Sequence, residues 1–256
     1  MRTSNPVLKE ETFAPSNWSG ITSELAPRQA GVMTTTGTVA KTAVLLLVCI
    51  AAALVAARVV DTTSVNPSIF YLGGGIGGFI LALVISFKPK AAPFLSPVYA
   101  ILQGAFLGTI SLAIAASSPA GSMLIVQAVA LTFGIFIALL VGYGLGLVRL
   151  GSTATKVVIV ATAGVAITYM ASFVLSMFGI HVMGALHGSG MIGIGFSLFV
   201  IVLASLNLVL DFQFVERGVQ AGAPKYMEWY AGFGLLVTLI WLYIEVLRLL
   251  SKINRR

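Results

Sequence analysis

A bundle of seven membrane-spanning α-helices is the fold this sequence predicts, and three observations predict it. Of 256 residues, 58% are hydrophobic and only 9% charged, against roughly a quarter charged in an ordinary soluble domain. The mean hydropathy is +1.02. The apolar residues form long uncharged runs, each able to supply the ~20 residues that cross a hydrocarbon core. A soluble fold of this length cannot bury that much apolar surface, and a disordered chain would be far more polar. Inside lipid every backbone N–H and C=O must be satisfied within the segment, so the class is all-α, polytopic and integral to the membrane.

Residues 1–41 differ from all that follows. They hold Lys9, Glu10, Glu11, Glu24 and Arg28 among many Ser, Thr, Asn and Pro. They read as a polar, flexible cytoplasmic arm, with 42–256 as the transmembrane domain. The first apolar run starts too late for a signal peptide. Asn17-Trp18-Ser19 fits a glycosylation sequon, which on a cytoplasmic arm is a chance match.

Span one is uncharged from Thr42 to Ala57 and continues past Arg58 to Val60. Span two is Ser68–Phe87. Ala91–Val148 has no charge at all, and as one helix it would measure ~87 Å, so it must fold back. Ser117-Ser118-Pro119-Ala120-Gly121 is the turn signal, giving span three over 97–116 and span four over 123–148. Val157–Leu210 breaks where Gly179, His181, Gly184, His187, Gly188 and Gly190 accumulate, giving span five over 157–177 and span six over 191–215. Span seven runs over 229–250.

Lys and Arg mark the cytoplasmic side of short loops. They occur in the arm (Arg2, Lys9, Arg28, Lys41) and after spans two (Lys88, Lys90), four (Arg149, Lys156) and six (Arg217, Lys225). The arm and the even-numbered loops are therefore expected inside. Seven spans then send Lys252, Arg255 and Arg256 outside, against the rule; either the cluster is tolerated there or one span is re-entrant.

The net charge of +7 does not suggest nucleic-acid binding, because the basic residues sit in ones and twos at span ends rather than on one stripe. Cys49 is the only cysteine, so a C-x-x-C redox or zinc site is excluded. Gly188-Ser189-Gly190-Met191-Ile192-Gly193 fits a dinucleotide fingerprint. It lacks the preceding strand, and glycines at a helix entry explain it. Val141-Gly142-Tyr143-Gly144 looks like a potassium-filter loop but has no separate pore helix before it. Gly73, Gly74, Gly75, Gly77 and Gly78 read as small residues for close helix contact. His181 and His187 are six apart, a poor helical metal pair, and read as solvated, with pH sensing the alternative. No cofactor motif, H-E-x-x-H or nucleophile–base pair is found, so no enzyme is expected.

Charges inside spans are functional candidates by default. Arg58 and Asp61 are spaced for a local interfacial pair. Glu216 and Glu228 flank the turn Ala221–Pro224, near Arg217 and Lys225, and read as a solvated network. Asp211 lies ~8 Å deeper than Glu216 and has no basic residue three or four positions away. Asn207, one turn back, can hydrogen-bond it but not neutralise it, so burial favours its neutral form. Glu245 has Arg248 at i+3.

Leu210-Asp211 at the end of span six and Leu242-Tyr243-Ile244-Glu245-Val246-Leu247 in span seven resemble the paired acidic spans of the Bax inhibitor (YccA-like) membrane family. Gln103-Gly104-Ala105-Phe106-Leu107-Gly108 is similar to its E-G-x-x-L-G. Ser4-Asn5-Pro6-Val7 and the stretch 216–251 look like a bacterial branch. The resemblance implies a seven-helix fold with the last helix central. It also implies a pH-sensitive calcium leak controlled by two carboxyl groups that share a proton. Two positions depart from the family: its third-span acid is Gln103 here, and span two lacks the family's basic residue.

Asp211 lies ~11 residues before the turn centre and Glu245 ~22 after it, a depth difference of ~16 Å in an antiparallel hairpin. The two are then separate stations on one path, or the two spans are offset, and the residues level with Asp211, around Gly232–Leu235, are apolar. The reading is an ion leak for Ca²⁺ or protons in the bacterial inner membrane. Asp211 and Glu245 are its gate and a weak transient Ca²⁺ site, supported by Asn207, Gln103, Arg248, Glu216 and Glu228, since calcium seeks six or more oxygens. The alternative is a non-transporting protein that modulates a membrane protease or another partner.

Overall fold

The computed structural model of the protein describes residues 31–63, 65–179, 188 and 190–255. Among them are seven helices long and apolar enough to cross a membrane. They are α1 (Thr35–Thr62), α2 (Ser68–Phe87), α3 (Ala92–Ala116), α4 (Met123–Gly144), α5 (Ser152–Met177), α6 (Met191–Gln220) and α7 (Met227–Asn254). Their number and order agree with the sequence reading. The polar arm up to residue 30, with the Asn17 sequon, and the loop carrying His181, Gly184 and His187 lie outside the described residues.

The helices run alternately up and down. One end of the bundle, the arm side, gathers the start of α1 and the turns between α2 and α3, α4 and α5, and α6 and α7. The far side gathers the other turns and the end of α7.

Several helices extend beyond the apolar runs that announce them. α1 starts at Thr35 rather than Thr42 because Thr34 caps it: the Thr34 hydroxyl accepts from the Gly37 N–H at 3.0 Å, satisfying a first-turn donor that hydropathy does not see. Just before the cap, Met33 N–H donates to Ala223 O at 2.7 Å and Lys225 N–H to Gly31 O at 2.9 Å. Val32 forms an isolated antiparallel bridge with Pro224. Met33 itself is buried. The chain before α1 is thus tied to the turn between α6 and α7.

α7 is the central helix. More than half of its membrane-crossing stretch is buried, and it packs on α1, α3, α4 and α6. α2 lies outside, against α3, and α5 against α6.

Lipid offers no hydrophobic drive between helices, so close backbone approach does much of the work. A Cβ on Gly74 would fall 2.5 Å from the Leu102 carbonyl oxygen, and one on Gly78 2.5 Å from Gln103 Nε2. Cβ atoms on Gly104 and Gly108 would collide with the carbonyl oxygens of Cys49 and Ala53. Glycines four apart on α2 and on α3 therefore make the notches that seat α2, α3 and α1 together. Of the Gly73–Gly78 group, Gly74 and Gly78 carry this role, and Gly73 meets nothing within 4 Å.

Of the basic residues at the chain end, one is taken into the bundle and a second, exposed, is tied to it. Lys252 is buried and donates to Gly193 O at 2.8 Å and to Ser197 Oγ at 2.9 Å. Arg255 donates to Ser117 Oγ at the end of α3. A lysine held inside is not a free loop charge, which reduces the conflict with seven spans.

Gly108→Val should destabilise the protein by about 1–3 kcal/mol or more, the cost of overpacking, because the Ala53 backbone cannot yield as a side chain can. Gly134→Ala, on an open face of α4, should instead be neutral or stabilising by up to ~1 kcal/mol. Thermal melts in one detergent compare the two, and equal effects would refute the notch.

Candidate functional site

Asp211 sits in the inward half of α6, nine residues before its end at Gln220, or ~13 Å from the arm side. It lines a cavity of about 370 Å³ between α2, α6 and α7. Ala82 and Ser86 come from α2, Phe214 from α6, and Tyr230, Gly234, Val237 and Thr238 from α7. No basic side chain is among the lining residues. The acid's partner is Thr238, whose hydroxyl donates to Asp211 Oδ2 at 2.6 Å. The residues level with Asp211 were expected to be apolar, around Gly232–Leu235. The helix-to-helix connection in fact runs on through Lys225 and Tyr226, which moves the facing level to Gly234–Thr238 and puts a hydroxyl there.

Asn207 does not serve Asp211. Its amide donates to Thr162 Oγ1 at 2.7 Å and to Leu203 O at 2.9 Å, tying α6 to α5. Gln103 is not among the cavity's lining residues. It fills the Gly78 notch, one turn from Ala82.

Glu245 belongs to a second polar cluster, toward the far side. Its Oε1 accepts from Arg248 Nη1 at 2.6 Å and from the Tyr169 hydroxyl at 2.8 Å. Arg248 Nη1 also donates to Tyr169 Oη at 3.1 Å, and the guanidinium lies over that ring, 5.5 Å from its centre. The Glu245 side chain is 1% exposed and that of Arg248 29%. Glu245 Oε2 is buried with no hydrogen-bond partner among the described residues. Lys252, two turns on, feels both charges. The i+3 spacing of Glu245 and Arg248 thus forms an ion pair as expected, joined by Tyr169 from α5.

The structure keeps the two acids apart. Thr238, at the level of Asp211, precedes Glu245 by seven residues, or ~10 Å, rather than the ~16 Å read from the sequence. Leu239, Ile240 and Leu242 between them are buried. Asp211 and Glu245 therefore share no proton in this arrangement.

The other acids follow expectation in part. Glu216, partly exposed, sits in an interfacial network as read, pairing with Arg149 at 3.3 Å and accepting from Tyr143. Glu228 is not solvated: it is 1% exposed, and its Oε1 accepts from Thr34 N–H at 3.1 Å and Thr34 Oγ1 at 3.0 Å. Lys225 stands 4.0 Å away. A carboxylate at the start of α1 meets the positive end of its dipole, and Gly37 leaves it room. Among the described residues Arg58 and Asp61 form no ion pair. Val141–Gly144 is the end of α4 and places Tyr143 on Glu216. Gly190 is the residue before α6, a helix entry as read.

The sequence reading missed Thr238, Tyr169, Thr162, Tyr143 and Thr34. Each is an uncharged hydroxyl in or beside an apolar run, a weak signal by itself. Thr238 and Tyr169 become informative only when paired with an acid across the bundle.

Residues 5–255 match the family model described as Bax inhibitor 1 like. No curated protein and no solved structure matches the chain.

Two outcomes test the clusters. Arg248→Met removes the cation from a buried carboxylate, so the loss should fall toward the lower end of ~3–5 kcal/mol, since Lys252 remains near. Glu245→Gln leaves Arg248 able to reach water and should cost less. The reverse order of melting temperatures would show Arg248 to be the dehydrated partner. At the other cluster, Thr238→Val should cost ~0.6–1.7 kcal/mol in the native background and less in Asp211→Asn. Full additivity in that double-mutant cycle would dismiss the bond.

Proposed function

The chain belongs to the family of Bax inhibitor 1 like membrane proteins, and from that premise we propose that it is a pH-sensitive cation conduit, for Ca²⁺ or protons, rather than an enzyme. The observation that carries this reading is Asp211, a carboxyl group in a membrane-spanning helix, on the wall of a 370 Å³ cavity with no basic side chain lining it. Acids in such positions are expensive in lipid and mark ion or proton paths.

The ligand supply fits passage better than storage. Around Asp211 the cavity offers the hydroxyls of Ser86, Tyr230 and Thr238, and among the described residues no three His, Cys, Asp or Glu side chains gather as a metal set. Calcium seeks six or more oxygens, so a cation here would keep much of its water and be held weakly. Glu245, with Oε2 unpartnered, is the second station, and Arg248 and Tyr169 restrain it. The buried Leu239–Leu242 segment separates the stations, and conduction requires it to yield.

The arm belongs in the cytoplasm of a bacterial inner membrane on this reading. Lys41, Lys88, Lys90, Arg149, Lys156, Arg217 and Lys225 gather at the arm side, as the positive-inside rule requires.

Protein reconstituted in liposomes should pass Ca²⁺ or protons with a rate that changes with pH. Asp211→Asn keeps the volume and fixes the site neutral, so its flux should be flat with pH while helicity and melting stay near those of the native protein. An unchanged pH profile in folded Asp211→Asn protein would remove Asp211 as the titrating gate. Absence of any flux at all pH values would favour the non-transporting reading, a modulator of a membrane protease or another partner.

A further inference from the structure

We infer that the cleft between α1 and α4 is a binding site for one acyl chain of an anionic phospholipid in the leaflet opposite the arm. The cleft has a volume of about 270 Å³, with α3 and α7 as its floor. Cys49 and Ala53 line it from α1, Gly108 from α3, Val129 from α4, and Leu236 and Ile240 from α7.

Its chemistry excludes a polar occupant. Its hydroxyls are already engaged: Ser111 Oγ and Tyr243 OH bond each other at 2.8 Å, and Thr132 donates to Ala128 O at 2.7 Å. A trapped water needs two to four polar partners, and beyond the one O–H left over in the Ser111–Tyr243 pair the walls are almost wholly apolar. An empty cleft would forfeit dispersion contacts along its walls. Its mouth is apolar and open on the flank of the bundle, with Leu54 64%, Ile50 41% and Val129 40% exposed. Those residues lie on membrane-spanning helices, so what reaches the mouth is lipid.

Its length and position match one leaflet. On α1 the lining runs from Leu46 to Ala57, ~16 Å along the helix, about half of the ~30 Å hydrocarbon core. These residues occupy the far-side half of α1, as the lining residues of α3 and α4 do in their helices. At the far-side end, Arg58 continues the Ile50–Leu54 row at i+4. It is exposed and, among the described residues, in no ion pair. With an acyl chain in the cleft, the lipid phosphate comes to the level of Arg58, and Asp61 stands one turn nearer the water.

The test uses the full chain in nanodiscs of phosphatidylcholine doped with phosphatidylglycerol that carries a diazirine at mid-chain. After illumination, adducts should concentrate on the cleft residues of α1, α3 and α4, above the level on the equally lipid-exposed faces of α2 and α5. Ala53→Leu fills the cleft and should reduce its adducts to that level, leaving those on α2 unchanged. Arg58→Gln should lower the cleft adducts of phosphatidylglycerol. An even distribution over all exposed faces of the native protein would overturn the site, whether or not Ala53→Leu folds. A cleft free of lipid adducts, together with two copies that join by a disulfide through an Ile50→Cys substitution at its mouth in a Cys49→Ser background, would assign it to a second copy and also overturn it. Unchanged cleft adducts in Arg58→Gln would overturn the headgroup assignment.

Discussion

A charge taken out of water must be matched where it ends up, and in this protein that rule falls on one helix. α7 is the most buried of the seven, yet it carries Glu228, Glu245, Arg248 and Lys252. Arg248 pairs with Glu245 on the same helix, and the other three reach three different neighbours. Glu228 meets the start of α1, Glu245 meets Tyr169 of α5, and Lys252 meets the first turns of α6. Polar groups that would be costly in lipid thereby fix the rotation and depth of the central helix, which apolar packing alone would leave free to slide.

The same matching explains why the two functional candidates stand apart. Asp211 is served by a neutral hydroxyl and faces a cavity. Glu245 is served by a guanidinium and a phenol and is enclosed. One carboxyl group faces open space, and the other is held by a cation on its own helix. Between them lie the buried side chains of Leu239, Ile240 and Leu242, so the two surroundings are separate and chemically unlike.

Much of this was legible in the residues. Uncharged runs broken by Ser117–Gly121 and by the glycines after Gly179 marked every helix, and Ser68–Phe87 was bounded to the residue. Asp211 and the Glu245–Arg248 pair stood out because charge in an apolar run has no bland explanation. What failed was contact across the bundle. Glu228 was read as solvated because it borders a turn, whereas the chain before α1 folds back and covers it. Thr238 was passed over because the turn was centred too early by excluding Lys225 and Tyr226. Asn207 was assigned to Asp211 by spacing along α6, but a side chain one turn away can face another helix. Spacing reports neighbours on one helix and is silent about neighbours on the next.

The contact between Thr34 and Glu228 spans 194 positions, and it bears on how the chain is made. A ribosome delivers helices in order, so the helix that fills the middle of this bundle emerges last. Until it arrives, the first six must wait in the bilayer without their central helix, and α1 has its α3 contact but neither Glu228 at its start nor the α7 face it packs on. Non-local contacts of this kind are slow to form and leave intermediates exposed. A chain halted before α7 would leave not a smaller bundle but an unsealed one, with Ser111 of α3 and Asp211 and Ser197 of α6 stripped of their partners and open to whatever else the membrane contains.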